Sequence, residues 1–150
     1  METNYNFSDH APTHFSFCFK MDCATAGECL RALAARDINK HTINVNIINP
    51  LLVNTMGGAS CPYFRKAEQV RVAYGFKQAL DRIESGKVKR VRCAIMEMMC
   101  QRNYYYLLRG EKPIFPQMQR KIEDILNQYG LASPVEFDRY EWQYKWNEEP

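Results

Sequence analysis

Four cysteines in the first half of the chain, Cys18, Cys23, Cys29 and Cys61, follow the spacing C-x4-C-x5-C-x31-C, with Pro62 directly after the last. Thiolate sulfur is a ligand for thiophilic metals, and four such groups can enclose one ion or one cluster. The paired C-x2-C knuckles favoured by structural zinc sites do not occur. Irregular spacing that ends in Cys-Pro is closer to iron–sulfur ligation. An iron–sulfur cluster, zinc on the same four residues with His14 as a substitute ligand, and no metal at all are three readings of this one pattern. Cys93 and Cys100 lie seven residues apart, share a helical face and read as small core hydrophobes. His10 and His41 read as surface residues.

A second group with chemical potential is the stretch "CQRNYYYLLRGEK", Cys100 to Lys112. On a helix, Tyr104, Tyr105 and Leu108 share an inner side, three and four residues apart. Gln101, Arg102, Asn103 and Tyr106 then face outward. Arg can make bidentate contacts to guanine, and Gln or Asn to adenine. The charge distribution agrees with such a role. Between Pro62 and Gly130 there are 14 Lys and Arg against 7 Asp and Glu, whereas the whole chain carries only +3. A basic middle between acidic ends suits a polyanion.

The elements that must position these groups follow from periodicity. "GECLRALAARDI" spaces Leu30, Leu33, Ala34 and Ile38 as a helix from about Glu28 to Arg36. "HTINVNIINP" alternates Ile43, Val45 and Ile47 with polar residues, predicting a half-buried strand at about 42–48 that Pro50 stops. From Pro62 onward, Phe64, Ala67, Val70, Ala73, Phe76, Leu80 and Ile83 form one apolar stripe and predict a long helix. Val88, Val91, Ile95 and Met98 predict the next helix, the tyrosine stretch a third, and Met118, Ile122, Ile125, Leu126 and Tyr129 a fourth ending at Gly130. The tail, with Phe137, Tyr140, Trp142, Tyr144 and Trp146, is too aromatic to stay in water and is expected to pack back on the body. The expected fold is mainly α, a helix-turn-helix-like bundle of about four helices. The expected organisation is a Cys-rich loop and strand module over residues 1–61, the helical region over 62–130, and the acidic aromatic tail over 131–150.

"AIMEMMCQRNYYYLLRGEKPIFPQMQRKIEDIL" resembles the repressor-type helix-turn-helix pattern at Tyr105, Leu108, Gly110, Lys112, Pro113, Pro116, Gln119, Ile122 and Ile125. That resemblance implies that Gln101, Arg102, Asn103 and Tyr106 face bases and that Arg109 and Lys112 meet the backbone. The pattern's small residue and turn glycine are replaced by Met98, Met99 and Cys100. Over residues 14–146, the Cys loop, "SCPYFRKAEQVRVAYGF", "YYYLLRGEKPIFPQMQ" and "FDRYEWQYKW" also resemble an uncharacterised family of short Cys-containing bacterial proteins of Bacteroidales type, which implies no activity.

Several function classes lack support. There is no Gly-rich phosphate loop, nucleophile elbow or H-E-x-x-H, so no enzyme is expected. No apolar run spans a bilayer and the start does not read as a signal peptide, so a cytoplasmic protein with reduced thiols is expected. The sequence reading is a DNA-binding protein, with DNA favoured over RNA, acting as a transcriptional regulator with a metal or iron–sulfur centre. A homodimer is an admissible arrangement. The alternative is a protein-interaction module with a structural Cys site.

Overall fold

The computed structural model describes residues 5–56 and 60–147. They form two compact units, residues 5–68 with 144–147 and residues 69–143.

The first unit is built around short elements. These are α1 (Phe7–His10), a 3-10 turn (Ala26–Glu28), α2 (Leu30–Arg36) and α3 (Pro50–Val53). α2 forms where the spacing predicts it, and it buries Leu30, Ala32, Ala34 and Ala35. Leu30, Ala34 and Ala35 join Phe15 and Phe17 in one small core, with Tyr144 and Trp146 of the tail against it. The Trp146 ring meets Phe15 edge-on, 5.0 Å between centroids. A second cluster joins Ala26, Cys29 and Ala32, with Cys23 and Phe64 beside it. Asn49 caps α3 by accepting from the Leu51 N–H, and Pro50 fits the first helical position, where no amide donor is needed.

The strand expected at 42–48 does not form. Its contact is one parallel bridge, Phe17 to Ile47, with the Phe17 N–H donating to the Asn46 carbonyl at 2.8 Å. Ile43 is 91% exposed, and Val45 and Ile47 are exposed too. Alternation marks a surface that a sheet could bury, but a strand also needs a partner along its length.

The second unit comprises β1 (Gln69–Tyr74), α4 (Lys77–Asp81), α5 (Ser85–Glu97), α6 (Gln101–Leu108), α7 (Pro116–Gln128) and β2 (Arg139–Tyr144), whose last residue belongs to the first unit. β1 and β2 pair antiparallel. Ile114 extends the pairing on the other side of β1, exchanging both backbone hydrogen bonds with Ala73 at 2.9 and 2.7 Å. With seven helices and this sheet among the described residues, the arrangement is mixed α/β. The expectation of a mainly α, helix-turn-helix-like bundle is thereby corrected. The long helix predicted from Pro62 is instead strand β1 followed by the short α4. Val70, Val72 and Tyr74 favour extended backbone. Gly75 then breaks any helix through it, with φ at 73°. A Cβ at Gly75 would also strike the Asp138 carboxylate. That carboxylate accepts from the Lys77 and Gln78 N–H groups, each at 3.0 Å, and so caps α4.

Ala73, Phe76, Leu80, Val91, Ile95, Tyr104, Leu107, Ile114, Ile122, Leu126 and Phe137 belong to one continuous core. α7 turns inward the side the sequence predicts, with Ile122 and Leu126 fully buried. The buried pair on α6 is Tyr104 and Leu107, while Tyr105 and Leu108 are half-buried. Tyr104 has no exposed surface and meets Phe76 edge-on at 5.8 Å. Burial pushes its hydroxyl above the usual tyrosine range, with Arg92 offsetting part of the effect. Cys93 and Cys100, expected in the core, are both exposed. Cys93 lies on the side of α5 opposite Val91 and Ile95, and Cys100 lies beyond α5, at the N-cap of α6. No helix among the described residues is long and apolar enough to cross a membrane.

Candidate functional site

Backbone pairing in the first unit draws the four early cysteines together. Cys18 sits on the extended segment after Phe17, and its N–H donates to the Arg31 carbonyl at 3.1 Å. Cys23 closes the turn from Lys20, its N–H donating to the Lys20 carbonyl at 3.3 Å. Cys29 occupies the N-cap position of α2 and forms an antiparallel bridge with Lys66. On either side of that bridge, the Leu30 N–H donates to the Arg65 carbonyl at 2.7 Å and the Ala67 N–H to the Glu28 carbonyl at 2.8 Å. This pairing brings the segment after Cys61 alongside the start of α2. Cys61 itself opens a turn whose carbonyl accepts from the Phe64 N–H at 3.1 Å.

Cys18, Cys23, Cys29 and Cys61 consequently line one pocket, closed off by Ala26, Ala32, Ile48, Val53 and Phe64. Cys29 is buried and the other three are half-buried, and no disulfide forms among the described residues. As the side chains stand, no three Cys, His, Asp or Glu among the described residues converge tightly enough to hold an ion. His14 is exposed and lines a different groove, which shares Arg31 with the cysteine pocket.

Two cations that the sequence reading left aside also line this pocket, Lys20 and Arg31. Arg31 donates from Nε to the Tyr63 carbonyl at 2.9 Å and from Nη1 to the Ser16 carbonyl at 2.7 Å. Its guanidinium lies 4.6 Å from the centroid of the Phe15 ring. Burial lowers its pKa, as does the charge of Arg65, while Cys29, Cys18 and Cys61 act in the opposite sense. Lys20 Nζ donates to the carbonyls of Val53 and Met56 at 3.2 and 2.7 Å. A basic residue two positions after Cys18 and another two after Cys29 was the signal available in the sequence.

The second candidate lies on α6. Gln101, Arg102, Asn103, Arg109 and Lys112 are exposed, and Tyr106 is half-buried. Arg102, Asn103, Arg109 and Lys112 gather around Tyr106, whereas Gln101, at the start of the helix, is exposed without a contact to that ring. Arg102, Arg109 and Lys112 place their charges 5.5, 5.8 and 4.9 Å from the Tyr106 ring centroid. Arg102 Nε donates to the Tyr106 hydroxyl at 3.1 Å, and Lys112 Nζ donates to Asn103 Oδ1 at 3.2 Å. Glu111 bonds Arg109 at 2.6 Å, and that hydrogen bond holds the Glu111 carboxyl below its usual range. At the start of α6, the Cys100 side chain makes no capping hydrogen bond. The first amides of α6 and its positive dipole end therefore stand beside Gln101, Arg102 and Asn103. Arg109 also lines a groove with Lys77, Arg92 and Asp81 over an apolar floor that includes Leu80 and Leu108.

The sequence model of a family of unknown function, DUF6078, matches residues 1–146. The chain belongs to that family. No curated protein and no solved structure matches it. Both candidate sites of this DUF6078 member lie within the matched residues, so the family description covers them without assigning either a role.

Proposed function

We propose that the protein binds nucleic acid, duplex DNA in preference to RNA, through the outer face of α6, and that it acts as a cytoplasmic regulator. The observation that carries this reading is the crowding of three cations around one half-buried tyrosine. One carboxylate, Glu111, pairs with Arg109, which leaves the rest of this positive charge without a carboxylate partner among the described ion pairs. A polyanion laid across the face neutralises the rest and releases its own counterions. Gln101 and Asn103 then supply side-chain amides that can pair with adenine, Arg102 can pair with guanine, and Arg109 and Lys112 fall to phosphate.

The test is binding of a labelled duplex as a function of salt. Affinity falls steeply with salt. Arg102→Ala and Asn103→Ala reduce preference among sequences, whereas Lys112→Ala weakens binding to all sequences alike. Failure of both duplex DNA and RNA to bind at low salt removes the proposal.

A second reading, a protein-interaction module that includes self-pairing, is supported by the first unit's exposed apolar side chains. Ile43 is 91% and Leu51 80% exposed, and Phe19, Met21 and Ile47 are also open to solvent. Native mass measurement separates the two readings, since this one requires a stable dimer or partner complex at low micromolar concentration.

A further inference from the structure

We infer that Cys18, Cys23, Cys29 and Cys61 form a binding site for a single thiophilic metal ion, zinc(II) by its tetrahedral preference, with Lys20 and Arg31 as its charge partners. The inference is independent of the α6 surface. Four cysteines from segments up to 43 residues apart in the chain line one pocket. The cavity they surround is about 30 Å³, above the roughly 10–15 Å³ that one water requires. Four sulfurs about 2.3 Å from a centre enclose one ion in such a space. A single ion is the smallest occupant that draws on all four thiols, and zinc(II) takes four sulfurs in a tetrahedron.

The charges agree. Four thiolates around zinc(II) carry a net charge of −2, and the two cations on the pocket wall, Lys20 and Arg31, match it. Both are fixed in place by hydrogen bonds to backbone carbonyls of the segments that carry or flank the cysteines. The thiols are gathered but do not converge as they stand. Each side chain turns about one torsion, and closing on an ion requires the four to rotate toward a common centre.

The size of the first unit points the same way. A unit this small, with two small clusters of buried side chains, lies in the range where a core alone rarely suffices and a disulfide or a metal completes the fold. No disulfide forms among the described residues. An ion on the four cysteines would tie the Cys18–Cys29 loop to the segment that follows α3.

The test is purification of the full chain without chelators, elemental analysis, and exchange of the bound metal for cobalt(II). The expected result is one zinc per chain and no iron. The cobalt form is expected to show the intense visible bands of a tetrahedral site and sulfur-to-cobalt charge transfer. Cys61→Ser lowers zinc affinity at least tenfold, Arg31→Gln lowers affinity while leaving the stoichiometry at one, and the Cys93→Ser, Cys100→Ser double variant changes neither. The wild-type measurements stand even if a variant fails to fold. Absence of tetrahedral cobalt bands on titration of the reduced wild-type chain overturns the inference, as does stoichiometric iron with sulfide.

Discussion

The two units solve the same problem with different means. The second buries fourteen apolar side chains in one connected cluster among the described residues, from Ala73 on β1 to Phe137 before β2. The first gathers a cluster of five and a cluster of three, with Val53 buried outside both, and the smaller cluster includes Cys29. It also leaves Phe19, Met21, Ile43, Ile47 and Leu51 open to solvent. One unit is held by a continuous apolar core, and the other is short of one at the place where four thiols gather. A unit with a sufficient core can leave a charged helix face such as that of α6 entirely to recognition. In a unit without one, the side chains with chemical potential are also needed to complete the fold.

Metal removal is expected to divide the units most sharply. Structural zinc in small domains contributes on the order of 10 kcal/mol, so chelation under reducing conditions should abolish hydrogen-exchange protection in α2 while α7 keeps its own. Equal loss in both units would erase the contrast. Next in size, Tyr104→Ala should cost about 3–5 kcal/mol, read by denaturant melting of the second unit. A cost under 1 kcal/mol would mean that the apolar cluster is not what holds that unit. Gly75→Ala is smaller, roughly 1–2 kcal/mol for the left-handed backbone, with an added loss as the new methyl displaces Asp138 from the α4 amides. The same melts report it, and Asp138→Ala should reproduce only the capping share, about 1 kcal/mol. Smallest in stability terms is Lys112→Ala. It should leave both units' melting unchanged and reduce the slope of log affinity against log salt by about 1.

How far the sequence foretold these features depended on how local each signal was. The α6 surface was legible because its residues lie within twelve positions, where helical geometry alone sets which side chains share a face. The cysteine set was legible from its density, although Cys61 arrives through the pairing of residues 65–67 with 28–30, which no periodicity announces. Residues 64–83 misled because Phe64, Ala67, Val70, Ala73 and Phe76 fit a helical stripe as well as a strand followed by a short helix. Gly75, which separates the two, looked like an ordinary residue in a long helix. Cys93 and Cys100 were expected to share a face, but α5 ends at Glu97 and leaves Cys100 at the start of α6, and spacing cannot say which face meets the core. Val91 and Ile95 took that place. Residues 42–48 alternated as a strand should, yet the neighbour that would bury them is limited to contact with Phe17. The charge partners of the thiols, Lys20 and Arg31, were visible as residues and invisible as a pair until the fold placed them in one pocket.

The most direct measurement of the central claim is a backbone amide chemical-shift map of the isotope-labelled chain titrated with a short DNA duplex at low salt. The shifted signals are expected to cluster from Gln101 to Lys112, with weaker changes at Lys77 and Arg92, and added salt should reverse them. Shifts confined to other surfaces, or no shifts at all, would contradict it.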